Sequence, residues 1–87
     1  AGVYFAHGDS YRSLGQYQRA IEDYDKAIEL DPNYVSAYYN RGNSYSNLGQ
    51  YQRAIEDYDK AIELDPNDAE ARTLRQRALR ALEESTK

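Results

Sequence analysis

The stretch Leu14 to Asn33, LGQYQRAIEDYDKAIELDPN, recurs residue for residue at Leu48 to Asn67, so the chain carries two copies of one unit at a period of 34 residues. A fixed period of roughly 20 to 50 residues marks a stacked repeat architecture, in which no unit buries its apolar face alone. Within the repeated stretch, Tyr17, Ala20, Ile21, Tyr24, Ala27 and Ile28 follow i, i+3, i+4, i+7 spacing, while Glu22, Asp23, Asp25, Lys26 and Glu29 take the opposite side. That pattern predicts an amphipathic helix from Tyr17 to about Leu30.

Working outward, Val3, Tyr4, Ala6, Tyr11 and Leu14 fall near helical spacing and predict a helix over Val3 to Leu14, closed by Gly15 in the left-handed conformation. Asp31-Pro32-Asn33 stops the second helix, because proline disfavours helical backbone in the residue before it, and Asn33 is placed to cap the next helix near Tyr34. The same punctuation predicts helices over Val35 to Leu48 and Tyr51 to Leu64. Short links make the two helices of each pair antiparallel neighbours. Gly8 with Ala20, and Gly42 with Ala54, read as sites of close backbone approach, since an interior helical glycine costs about 1 kcal/mol relative to alanine and needs a packing reason. Tyr4, Tyr11 and Tyr24, with Tyr38, Tyr45 and Tyr58, are the expected core around those contacts.

From Ala69 to Glu84 the chain starts a third unit in register but has Arg72, Gln76 and Leu79 where the repeats have Tyr38, Gly42 and Tyr45. Ala71, Leu74, Ala78 and Leu82 form one apolar stripe, and Arg72, Arg75, Gln76 and Arg80 keep the far side wet, as the terminal cap of a repeat array requires. Glu83 to Lys87 is expected to fray. The organisation is therefore residues 1–34, residues 35–68 and a capping segment over residues 69–87, forming one all-α domain of five helices.

Composition excludes several functions. Leu, Ile, Val and Phe number 14 in 87 residues, and ten Tyr and eleven Ala supply the remaining apolar surface. With no cysteine there is no disulfide, thiolate metal site or thiol nucleophile. No apolar run approaches the roughly 18 residues of a membrane span, and no leader segment stands at the N-terminus, so the chain reads as soluble, intracellular and without a membrane partner. Lacking any Met, it reads as processed or excised from a longer array. Each of the first two units has three basic and six acidic residues, whereas the last segment has five basic and three acidic. Acidic repeats repel phosphate backbones, which argues against nucleic acid.

Candidate chemistry is sparse. His7 is the single histidine and has no second ligand residue or catalytic partner pattern beside it. The runs Glu22-Asp23-x-Asp25 and Glu56-Asp57-x-Asp59 lie in predicted helices without the glycine turn and terminal glutamate of a calcium loop, so they read as a solvated face. No phosphate-binding loop is present. Neither a cofactor nor an enzymatic activity is expected.

The chain resembles the tetratricopeptide repeat family, a helix-turn-helix unit of 34 residues, over residues 1–68. The family's aromatic, glycine, tyrosine, alanine and proline signature is met by Tyr4, Gly8, Tyr11, Ala20, Tyr24, Ala27 and Pro32, and again by Tyr38, Gly42, Tyr45, Ala54, Tyr58, Ala61 and Pro66. His7 and Arg41 depart, standing where the family usually has leucine. The resemblance implies a right-handed superhelix whose concave face is lined by the first helix of each pair. It also implies a protein or peptide binding scaffold without catalysis. In that geometry Phe5 and Tyr39, one residue after the core aromatics and so rotated by about 100 degrees, face the concavity. With Asp9, Arg12, Asn40, Asn43 and Ser46 they form the candidate partner-binding groove.

Some family members grip acidic chaperone C-terminal peptides with Lys and Asn side chains. Here Phe5, Asp9, Glu70 and Leu74 occupy those positions and only Asn40 matches, so a peptide of that kind is not expected. The acidic balance favours a partner with basic residues instead. Two interchangeable hairpins and an uncovered first helix also predict weak self-association or helix swapping. The second reading is a structural or designed repeat scaffold without a specific ligand, to which the identity of the two copies points.

Overall fold

The computed structural model describes residues 1–86 and holds five α-helices in sequence: α1 (Gly2–Ser13), α2 (Tyr17–Leu30), α3 (Val35–Asn47), α4 (Tyr51–Leu64) and α5 (Ala69–Ser85). Each helix packs on the next, α1 on α2, α2 on α3, α3 on α4 and α4 on α5. The result is an all-α helical-repeat solenoid. Where fraying was expected from Glu83, α5 continues to Ser85; Lys87 lies outside the described residues.

The hairpin turns follow from glycine. Gly15 and Gly49 have φ of 78° and 77°, a conformation that costs residues with a Cβ but not glycine. There the Gln16 amide donates to the Tyr11 carbonyl at 2.9 Å and the Gly15 amide to the Arg12 carbonyl at 3.0 Å, with the same pair of bonds at Gln50 and Gly49. Two otherwise orphaned carbonyls are satisfied at each helix end, and the chain reverses within a few residues.

Between the units a Pro-containing turn does the same work. The Tyr34 amide donates to the Asp31 carbonyl and the Asp68 amide to the Asp65 carbonyl, both at 3.1 Å. Asn33 was expected to cap α3, but its own amide is bound by the Asp31 carboxylate at 3.1 Å, and the capping position belongs to Tyr34. Asp68, one repeat later, does cap: its carboxylate accepts the Ala71 amide at 3.0 Å.

The small and aromatic residues of α2 and α4 form the centre of the core, joined by Ile21, Ile55 and by Ala37, Tyr38, Ala71 and Ala78 of α3 and α5. Ala20, Tyr24, Ala27, Ala54, Tyr58 and Ala61 are all at most 1% exposed. A Cβ added at Gly8 would lie 2.6 Å from the Tyr24 ring, and one at Gly42 would lie 2.8 Å from the Tyr58 ring. The expected partners Ala20 and Ala54 are thus corrected to Tyr24 and Tyr58, whose rings lie across the helix contact and take the space nearest each glycine. Tyr38 is buried, and its hydroxyl donates to the Pro32 carbonyl at 2.9 Å. Tyr4, its counterpart, is 38% exposed, because no described helix precedes α1 as α2 precedes α3. That corrects its placement in the core.

Candidate functional site

Tyr24 and Tyr58 are the largest fully buried side chains, yet their hydroxyls reach through the layer of second helices to the face formed by α1, α3 and α5. A buried phenol needs a hydrogen-bond partner, and the partners are the residues singled out from the sequence. Tyr24 donates to Asp9 Oδ1, Arg12 Nε donates to the Tyr24 hydroxyl at 3.3 Å, and Asn40 Nδ2 donates to the same Asp9 oxygen at 2.9 Å. In the second unit Tyr58 donates to Asn43 Oδ1 at 2.6 Å, and Ser46 Oγ stands 3.4 Å from the Tyr58 hydroxyl. Five of the seven candidate residues therefore fall into two equivalent clusters, one charged and one neutral.

The remaining two are the aromatics. Phe5 stacks on Tyr34 with centroids 4.9 Å apart and tilts against Tyr24 at 5.8 Å, so one of its faces is covered. Tyr39 meets Tyr58 edge-on at 6.3 Å, but Asp68 stands at the repeat position of Tyr34. Consequently Tyr39 borders an open hollow of about 300 Å³ shared with Val35, Ser36, Asp65, Asp68 and Glu70. On the other side of Tyr58 lies a hollow of about 420 Å³ lined by Arg12, Asn43, Ser46, Asn47, Tyr51, Tyr58, Leu74, Arg77, Ala78 and Ala81. Tyr39 of the first hollow and Tyr58 of the second are in contact, so the two hollows are neighbours.

Electrostatics follow from burial. The Tyr24 phenol is pushed well above its ordinary value by burial and then by Asp9 beside it. Burial raises Tyr58 too. Tyr39 is raised by burial and by the nearby Glu70 carboxylate. All three keep their protons at neutral pH, and Tyr24 and Tyr58 donate theirs to Asp9 and Asn43. The Arg12 guanidinium is held charged by its hydrogen bond to Tyr24.

Family models for "TPR repeat" and "Tetratricopeptide repeat" match residues 8–49 and 35–68. The chain belongs to the tetratricopeptide repeat family. Solved structures agree. The first tetratricopeptide domain of Spaghetti (RPAP3), bound to the HSP90 peptide SRMEEVD, superposes with a TM-score of 0.89 at 29% identity, covering 91% of this chain and 63% of that one. The TPR2B domain of yeast Sti1, in complex with pHsp70, gives 0.90 at 29% identity over 95% of this chain and 66% of its own. MamA gives 0.78 at 30% identity, over 95% and 57%. This tetratricopeptide chain thus spans less than two-thirds of the length of each of those three. No curated protein sequence matches it.

In this tetratricopeptide groove, sequence reasoning missed Arg77 and Leu74 of α5 as lining residues, along with the hydroxyls of Tyr24 and Tyr58. Arg77 could have been found: it stands 34 residues after Asn43, itself a candidate. The tyrosine hydroxyls could not, because periodicity marks a residue as core without saying how far its tip reaches. Among the described residues no group of acidic, His or Cys side chains is placed to hold a metal ion, and no helix is long and apolar enough to cross a membrane.

Proposed function

We propose that the inner groove binds an extended peptide that carries basic residues. One observation supports this above the others: the aromatic and polar side chains of α1 and α3 stand in a row whose depth is set by buried tyrosine hydroxyls, beside hollows open to solvent. Groups held in this way lose little freedom when a ligand arrives, which is how preorganised sites gain affinity. Tyr39 offers a flat face, Asn43 and Asn40 offer amides, and the acids at the Tyr39 end offer negative charge to a lysine or arginine. Of the three solved neighbours, one is described bound to an HSP90 peptide and another in complex with pHsp70. In this chain the positions of the chaperone grip carry Phe5, Asp9, Glu70 and Leu74, so a different peptide chemistry is served.

The test is anisotropy titration of acetylated, amidated heptapeptides bearing lysines on a serine scaffold. Binding is expected to weaken as salt rises, and Tyr39→Ala is expected to lose about 1 to 2 kcal/mol with helicity unchanged. The outer-face control is Glu22→Gln with Glu56→Gln, both exposed. Asp57 was expected on the outer face but is buried, so it cannot serve there. Affinity that survives Tyr39→Ala and falls in the outer-face variant would move the site off the groove. Absence of binding by every peptide would favour a scaffold without a private ligand, to which the identity of the two repeats points.

A further inference from the structure

The larger hollow has a charge opposite to that of the repeats. None of its lining residues is acidic, and it is flanked by two guanidinium groups, Arg12 from α1 and Arg77 from α5. Arg12 gives its Nε to the Tyr24 hydroxyl and pairs loosely with Asp9, Nη2 standing 3.8 Å away, beyond hydrogen-bond reach, so its two Nη groups make no side-chain hydrogen bond among the described residues. Arg77 is exposed and makes no ion pair among the described residues, whereas its neighbour Arg75 is committed to Asp59. Between them stands Asn43, whose oxygen is taken by Tyr58 and whose NH₂ is left to donate. Two guanidiniums and an amide thus line a space whose own lining holds no acid, a donor set suited to a carboxylate.

The adjoining hollow is the reverse, with Asp65, Asp68 and Glu70 and no basic residue in its lining. Glu70 and Arg77 are seven residues apart on α5, nearly two turns, so they project from the same side about 10 Å apart. A peptide in the polyproline II conformation advances about 3.1 Å per residue with three residues per turn, so side chains three residues apart project from one side about 9 Å apart. We propose that the groove is electrically divided and selects a peptide bearing a carboxylate side chain and a basic side chain about three residues apart, the carboxylate between Arg12 and Arg77 and the basic group beside Glu70. This rests on the peptide-binding reading above and names the ligand more narrowly than the net charge of the repeats does.

The repeat supplies its own conservative variants. Serine stands beside Tyr58 at the position where arginine stands beside Tyr24, so Arg12→Ser keeps a hydroxyl partner for the buried phenol, and Arg77→Gln alters an exposed side chain. Acetylated, amidated heptapeptides containing Lys-Ser-Ser-Glu, Glu-Ser-Ser-Lys, Lys-Ser-Ser-Lys or Glu-Ser-Ser-Glu are titrated against the parent and the Arg12→Ser/Arg77→Gln chain, with helicity as the folding control. The better of the two mixed-charge peptides is expected to bind the parent at least about fivefold more tightly than the all-lysine peptide, and the double variant is expected to erase that advantage. A mixed-charge peptide no better than the all-lysine one, or an advantage that survives the double substitution, overturns the divided groove while leaving peptide binding standing. If none of the four binds the parent, both readings fall.

Discussion

At Gly42 one absent methyl group decides how closely α3 approaches α4. The Cβ of an alanine there would lie 2.8 Å from Tyr58 and 3.3 Å from the Asp57 Cβ, and Tyr58 is 1% exposed, so the ring has no room to withdraw. Gly42→Ala is therefore expected to destabilise the chain by about 1 to 3 kcal/mol, even though alanine favours helix by about 1 kcal/mol. A urea melt monitored by circular dichroism measures it, and an unchanged midpoint would refute the contact. Sequence phase identified this position as a close approach. It could not name the partner, because the ring that occupies the gap reaches across from a residue whose backbone is elsewhere on the facing helix.

Between elements, an arginine stands where the family usually has leucine. Arg41 of α3 donates through Nη1 to Asp25 of α2 at 2.7 Å, and through Nε and Nη2 to both oxygens of Asp57 of α4 at 2.9 and 2.7 Å. One side chain thus ties three helices together, and Arg75 of α5 repeats the link to α4 through Asp59, the counterpart of Asp25. Burial opposes the charge on Arg41, but the two carboxylates outweigh it and hold the group charged. Burial also raises Asp57, with Arg41 offsetting part of the shift. Substituting the family's leucine at this one position would strand that carboxylate. Arg41→Leu is expected to cost about 3 to 5 kcal/mol, and Arg41→Leu with Asp57→Leu to regain most of the loss. Urea denaturation of both variants checks it: a single variant as stable as the parent would show that the ion pair holds nothing. The departure from leucine was visible in the sequence, but its compensation was not, since Asp57 looked like part of a solvated acidic run.

For the molecule as a whole, the outer face of α1 is unmatched. Val3 is 68% exposed and Tyr4 38%, whereas their counterparts Ala37 and Tyr38, covered by α2, are 0% and 8% exposed. The same face that α3 buries is open on α1, so weak self-association through it is expected. Sedimentation equilibrium is expected to show a concentration-dependent mass that Tyr4→Lys reduces. A strict monomer at high concentration would rule it out.

Sequence alone determined the period, the five helices and the turns, because these depend on local physics: apolar spacing, a glycine with positive φ, and a proline that ends a helix. The resemblance to the family grouped Asp9, Arg12, Asn40, Asn43 and Ser46 in one expected groove. Only the tertiary structure decided what they do there. The Tyr24 and Tyr58 hydroxyls arrive from other helices to bond Asp9, Arg12 and Asn43, Tyr34 covers Phe5 while Asp68 leaves Tyr39 open, and Arg77 comes from α5 to line the same hollow as Arg12. Each of these joins residues from different helices, and a pattern read along one helix has no term for the distance between two.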